Sequence, residues 1–161
     1  MSATFRVLGP GLLVVALACT GLTACRKPDP RAQLLGTRNA YEVAVVGSWA
    51  QVPATDDAPP AAVLTIRVTR GQTSVTLPCL TVDVLFYGKG EGGPVEIGRQ
   101  TVELDLTDLE QLGGTKEILK RLPLPADVEI EELGLVLHDP GDDEGLRALC
   151  EAKAFPELLA Q

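Results

Sequence analysis

Residues 79–87 read Cys79-Leu80-Thr81-Val82-Asp83-Val84-Leu85-Phe86-Tyr87. Leu80, Val82, Val84 and Phe86 take alternate positions, and side chains two apart share one face of a β-strand. The run therefore predicts a strand with an apolar face. The same period appears upstream, where Leu64, Ile66 and Val68 alternate with Thr65, Arg67 and Thr69. It appears again at Tyr41, Val43 and Val45, and downstream where Val102, Leu104 and Leu106 alternate with Glu103 and Asp105. Further strands are expected at 73–77, 95–97, 117–122 and 128–138. Between these runs lie glycine- and proline-bearing breaks at 51–60, 88–93 and 109–114. Short period-two segments separated this way predict an all-β sandwich.

The end of the chain has a different rhythm. Leu146, Leu149 and Lys153 follow helical spacing, with Pro156 as an interruption. A short C-terminal helix is expected there, with Asp142 or Asp143 as its N-cap. Only 4% of the 161 residues are aromatic, so valine and leucine must build the core. Tyr41 and Trp49 read as core residues, and a tryptophan stacked on a disulfide is usual in sandwich domains.

The stretch 80–106 resembles immunoglobulin-like domains of bacterial envelope proteins. In one such group a strand ending Phe-x-Leu-Tyr-Asp enters a glycine turn; here the run is Val84-Leu85-Phe86-Tyr87-Gly88, without the first Phe and the final Asp. Leu122-Pro123-Leu124-Pro125, after a glycine-rich loop, has the same look. The resemblance spans about a third of the chain after the leader. It implies an immunoglobulin-like β-sandwich with a short C-terminal helix, and it speaks to fold rather than function.

The N-terminus reads as an address. Arg6 precedes an apolar stretch whose unbroken core, 12–19, is too short to span a bilayer, which needs about 20 apolar residues. A basic start, a short apolar run and small residues at its end describe a secretory signal. Leu22-Thr23-Ala24-Cys25 resembles the lipobox of bacterial lipoproteins. That resemblance implies cleavage before Cys25, diacylglycerol on its thiol and further acylation, such as palmitate, on the new amino terminus. One acyl chain binds a membrane marginally, at about 10⁴ M⁻¹, whereas two or more anchor stably. Residues 1–24 are thus read as a signal peptide, 25–38 as lipidated terminus and tether, and 39–161 as the folded domain. Pro28 and Pro30 are expected to keep the tether extended. Arg26 rather than an acidic residue follows Cys25, which in a Gram-negative host implies the periplasmic face of the outer membrane.

The other cysteines agree with export. Cys19 leaves with the signal, and Cys79 and Cys150 remain, a pair that reads as a disulfide in an exported domain. Closing a loop of this length contributes about 4 kcal/mol by chain entropy. With no CxxC pair and His138 as the single histidine, the spacing suits neither a zinc site nor a redox motif. Loss of Arg6 with the leader takes the net charge from −8 to −9. Such a surface repels phosphate, which argues against nucleic acid and against electrostatic docking on anionic lipid.

Candidate chemistry is sparse. Gly88-Lys89-Gly90-Glu91-Gly92-Gly93 matches G-x-G-x-x-G, but Pro94 and a β pattern follow where a dinucleotide site needs a helix. It reads as a hairpin loop. Asp139, Asp142, Asp143 and Glu144 concentrate carboxylates in one loop, and calcium prefers several oxygens so placed. Glu103, Asp105, Glu129 and Glu131 alternate with apolar residues as a solvated sheet face does, although a glycosidase pair needs only two carboxylates at the right distance. His138 with Ser48 or Ser74 could make a hydrolase, but no G-x-S-x-G elbow surrounds either serine. The sequence reading is therefore a lipid-anchored envelope module without catalytic residues or cofactor, whose partners are the membrane and another envelope protein. Calcium or small-ligand binding is the first alternative and a carboxylate-based envelope hydrolase the second. Peptide mapping without reduction should recover Cys79 joined to Cys150; two thiols open to alkylation in the native protein would refute the pairing.

Overall fold

The computed structural model describes residues 28–125 and 128–160. Cys25 and the signal region lie outside them. Six strands form the body: β1 (Tyr41–Val52), β2 (Ala61–Arg70), β3 (Cys79–Gly90), β4 (Gly93–Asp105), β5 (Thr115–Pro123) and β6 (Glu132–Leu137). They make two antiparallel three-stranded sheets, β1-β2-β5 and β4-β3-β6. The chain is an all-β sandwich. β5 lies beside β2, so the chain crosses between the sheets from β2 to β3, from β4 to β5 and from β5 to β6.

The inner faces follow the predicted alternation. Leu64, Ile66 and Val68 on β2 meet Leu80, Val82, Val84 and Phe86 on β3, all buried, with Leu104, Leu106 and Leu122 completing the layer. The loop expected at 88–93 closes more tightly than its length suggests. Gly90 pairs with Gly93, leaving Glu91 and Gly92 as the turn, and Gly92 and Gly93 hold positive φ values of 107° and 139° that L side chains rarely adopt. A register shift in β1 between Val46 and Ala50 surrounds Gly47, also at positive φ.

Several expectations change. No strand forms at 73–77; this connection is held by side chains instead. Leu77 N–H donates to the Tyr41 hydroxyl at 3.1 Å, and Arg70 Nη2 donates to the Thr73 carbonyl at 3.2 Å. The final strand spans only Glu132–Leu137 rather than 128–138. Tyr41, not Trp49, is the aromatic near the disulfide end, bonded two residues before Cys79, while Trp49 lies eight residues further along β1.

The largest departure is at the N-terminal side. Residues expected as an extended tether form a helix, α1 (Pro30–Arg38). Asp29 caps it by accepting from Arg31 N–H, and Pro30 stands in its first turn, where a missing N–H costs nothing. Proline after a capping Asp begins a helix here rather than preventing one. Leu34 is fully buried, so α1 belongs to the domain.

What α1 packs against is the C-terminal tail: α2 (Asp143–Ala148), a 3-10 turn (Cys150–Ala154) and α3 (Pro156–Leu159). Asp142 caps α2 by accepting from Gly145 N–H at 2.8 Å, as expected. Leu146, Leu149, Ala152, Phe155 and Leu158 bury the tail's apolar side. The disulfide joins Cys79, the first residue of β3, to Cys150. Next to it the Glu151 carboxylate is fully buried and accepts from Arg38 Nε at 2.9 Å, Thr81 N–H at 2.8 Å and Thr81 Oγ at 2.7 Å. Arg38 also donates through Nη2 to the His138 carbonyl at 2.8 Å. Removing one partner of a buried ion pair strands the other charge, at a cost of about 3–5 kcal/mol. Glu151→Ala should lower unfolding free energy by about that amount in a urea titration, whereas an effect under about 1 kcal/mol, typical of an exposed pair, would show the network to be dispensable.

Candidate functional site

The outer face of the β4-β3-β6 sheet carries a hydrogen-bonded cluster of polar side chains. Register decides which residues meet there. Thr81 pairs across the strands with Glu103, and Asp83 with Thr101, so all four point away from the core. His138 follows β6 directly, and its N–H donates to the Thr81 carbonyl at 3.1 Å, extending the ladder by one residue. Its ring then reaches Asp83, with Nδ1 2.8 Å from Oδ1. Thr101 Oγ donates to the same oxygen at 2.6 Å, and Arg99 approaches Oδ2 at 3.4 Å.

Asp83 is only 2% exposed although it sits on the outer face. Burial alone would push its carboxyl up. Hydrogen bonds from Thr101 and His138 outweigh this, helped by the cationic charge of a protonated imidazole and of Arg99, and hold it below the usual carboxylate range. An ionised carboxylate can only accept, so the imidazole turns its Nδ1–H toward Asp83.

The tail passes over part of this face and borders an open depression of about 290 Å³ beside the imidazole. Thr81, Thr101, Glu103 and His138 form its polar lining; Val102, Ala148 and Leu149 supply the apolar part. Two other cavities lie elsewhere, one between α1 and the β2–β3 connection and a smaller one near Leu124 and Ile97. Neither contains a histidine or a carboxylate.

The residues singled out from sequence distribute differently. Asp139 and Asp142 accept from the N–H groups of Gly141 and Gly145, at 2.9 and 2.8 Å, and Asp143 pairs with Arg31 at 2.7 Å. Glu144 is exposed. Among the described residues no three carboxylate, histidine or cysteine side chains gather as a metal site would require. Glu103, Asp105, Glu129 and Glu131 are all exposed, and only Glu103 lines the cavity. Ser74 lines the cavity beside α1 rather than the one at His138, and Ser48 is exposed on β1. Cys25 lies outside the described residues. Asp83 was missed as a site residue. Its sequence signal was available: it is the single charged residue within the apolar run 80–87.

Because its folded-state pKa is lowered, Asp83 stabilises the fold above the ordinary carboxylate range, and this contribution disappears as pH falls through the depressed value. Asp83→Asn should therefore be less stable than wild type at pH 7, with the difference shrinking below about pH 4. Thermal melts across that range check this; a difference independent of pH would assign the loss to shape rather than charge.

No family model matches this chain, and neither the curated proteins nor the solved structures provide a match.

Proposed function

We propose that this protein is a lipid-anchored envelope lipoprotein whose sandwich domain serves as a non-enzymatic binding module close to the membrane. The observation that carries this reading is the position of α1. Cys25, at the end of the lipobox-like Leu22-Thr23-Ala24-Cys25, precedes Asp29 by four residues, and Asp29 is already the cap of a helix docked on the domain. Four residues reach at most about 14 Å when extended. A lipid on Cys25 would therefore hold the domain against the bilayer, not on a long stalk. Partners of such a module lie in the same membrane or within a domain's diameter of it. In a Gram-negative host, Arg26 favours the periplasmic face of the outer membrane.

Binding, as against catalysis, is supported by how the polar groups are used. The Thr81 and Thr101 hydroxyls donate to Glu151 and Asp83, which leaves neither free to give its proton to His138. A nucleophile activated by that histidine would need such a proton to give. A small-ligand role is favoured by the open depression next to the oriented imidazole.

Cys25→Ala should move the protein from the membrane to the soluble envelope fraction and abolish lipid labelling. In-cell crosslinking of the wild type should capture an envelope protein that the variant loses. Continued membrane residence of the unlabelled variant would overturn the anchor; a soluble variant that captures the same partner would overturn proximity to the membrane as the basis of binding.

A further inference from the structure

We infer that Glu151 acts as a redox lock on the Cys79–Cys150 disulfide: its buried carboxylate stands against the Cys150 sulfur and denies that sulfur its exit as a thiolate. The inference goes beyond the binding-module reading and is independent of the lipid anchor.

Thiol reductants open a disulfide in a defined way. A thiolate attacks one sulfur and forms a new S–S bond there. The electron pair of the old bond leaves on the other sulfur, which carries negative charge until it gains a proton. A second reductant thiol then displaces the first as a disulfide, so the protein gains two electrons and two protons while two reductant thiols are oxidised. In this domain the two sulfurs are not equivalent. Cys79, the first residue of β3, is partly exposed, whereas Cys150 is 2% exposed. Attack from solvent is directed at Cys79, and Cys150 must then be the sulfur that leaves.

The surroundings of Cys150 oppose that departure. Glu151 Oε2 lies 3.4 Å from Cys150 Sγ. The other carboxylate oxygen, Oε1, accepts from Arg38 Nε at 2.9 Å and from Thr81 N–H at 2.8 Å. Oε2 accepts only from the Thr81 hydroxyl, at 2.7 Å, among the described residues. The guanidinium thus offsets the charge at the far oxygen, and the less compensated oxygen faces the sulfur. Thr81 Oγ is itself 3.4 Å from Cys150 Sγ, but its hydrogen goes to the shorter bond with Oε2. A thiolate formed here would meet a carboxylate in a site closed to water, where charges interact far more strongly than in solvent. Cys150 also opens a 3-10 turn, and a helix N-terminus favours negative charge. That turn has only five residues, and even a full helix end carries about half an elementary charge, so the adjacent carboxylate prevails.

The bond then opens by undocking of the tail, which parts Cys150 from its buried surroundings, and not by attack on the folded domain. One carboxylate serves twice. With Arg38 it holds the tail on β3, and against Cys150 it keeps the covalent link of that tail closed.

The test is reduction of the oxidised full-length protein by glutathione, followed by acid quench, alkylation and peptide mapping that reads Cys79 and Cys150 apart from the N-terminal cysteines. The wild-type rate should rise steeply with sub-denaturing urea, and the first glutathione should appear on both sulfurs, since opening exposes both. Glu151→Gln keeps the shape and removes the charge. Without urea it should be reduced about tenfold faster, with glutathione first on Cys79, a small part of the repulsion that two charges at this separation feel inside a protein. Leu158→Ala loosens the tail by truncating a buried side chain and leaves Glu151 in place. At matched unfolding free energy it should be reduced more slowly than Glu151→Gln. Three results would overturn the lock: a wild-type rate independent of urea with glutathione on Cys79 alone, no acceleration in Glu151→Gln, or equal acceleration in Leu158→Ala at matched stability. The first needs no substitution, so it decides even where a variant fails to fold.

Discussion

One buried ion pair governs the ends of this molecule. Arg38, at the last turn of α1, and Glu151, in the 3-10 turn of the tail, are almost wholly excluded from solvent. Two such charges persist inside a protein only where hydrogen bonds replace the lost water. Here Thr81 supplies two bonds to Glu151, and the His138 carbonyl accepts one from Arg38. The network therefore draws four segments to one point: the helix before the first strand, the central strand β3, the end of β6 and the tail. The disulfide Cys79–Cys150 stands beside it and limits how far Glu151 can move from β3. Covalent bond and ion pair act on the same junction, one restricting the unfolded chain and the other choosing the folded arrangement.

Between its two three-stranded sheets the sandwich has open sides, and side chains close both. On β5, Lys116 and Lys120 share the inward face with Ile118 and Leu122. Their stems cover the seam while their ammonium groups turn outward, Lys120 to the Glu103 carbonyl at 2.7 Å and Lys116 toward Asp105 and Asp108. Gln100 reaches the Pro123 carbonyl across the same gap. On the other side Gln51 bridges to the Val128 carbonyl and the Ile130 N–H. Inward charges of this kind also deter pairing with a foreign strand, since an edge that offers lysine at a core position resists extension.

The tail's route creates the cavity. After His138 the chain does not continue along β6 but turns through the acidic loop into α2 and crosses the outer face of the β4-β3-β6 sheet. That face would otherwise be solvated. Covering part of it buries Thr81 and leaves the Asp83–His138 pair beside the depression, with the Thr81 and Thr101 hydroxyls donating to Glu151 and Asp83.

The sequence alone determined the central strands β2 and β3, because a residue's place in a period-two pattern is a local property. Leu64 to Val68 and Leu80 to Phe86 needed no knowledge of their neighbours to be assigned to a buried face. The disulfide followed from reading Cys79 and Cys150 as the pair that remains outside a signal-like N-terminus, and the Asp142 cap from its position before a helical rhythm. Only the tertiary structure decided that residues 30–38 are a docked helix, since the burial of Leu34 and Arg38 depends on a tail more than a hundred residues away. Likewise, the sequence marks Asp83 as the one charge in an apolar run but not what that charge meets. Strand pairing puts Asp83 under His138 and Thr101, while Glu103, a pleat further along, stays open to water. A strand's sequence fixes which side a residue faces; what lies on that side is set by register and by the path of the rest of the chain.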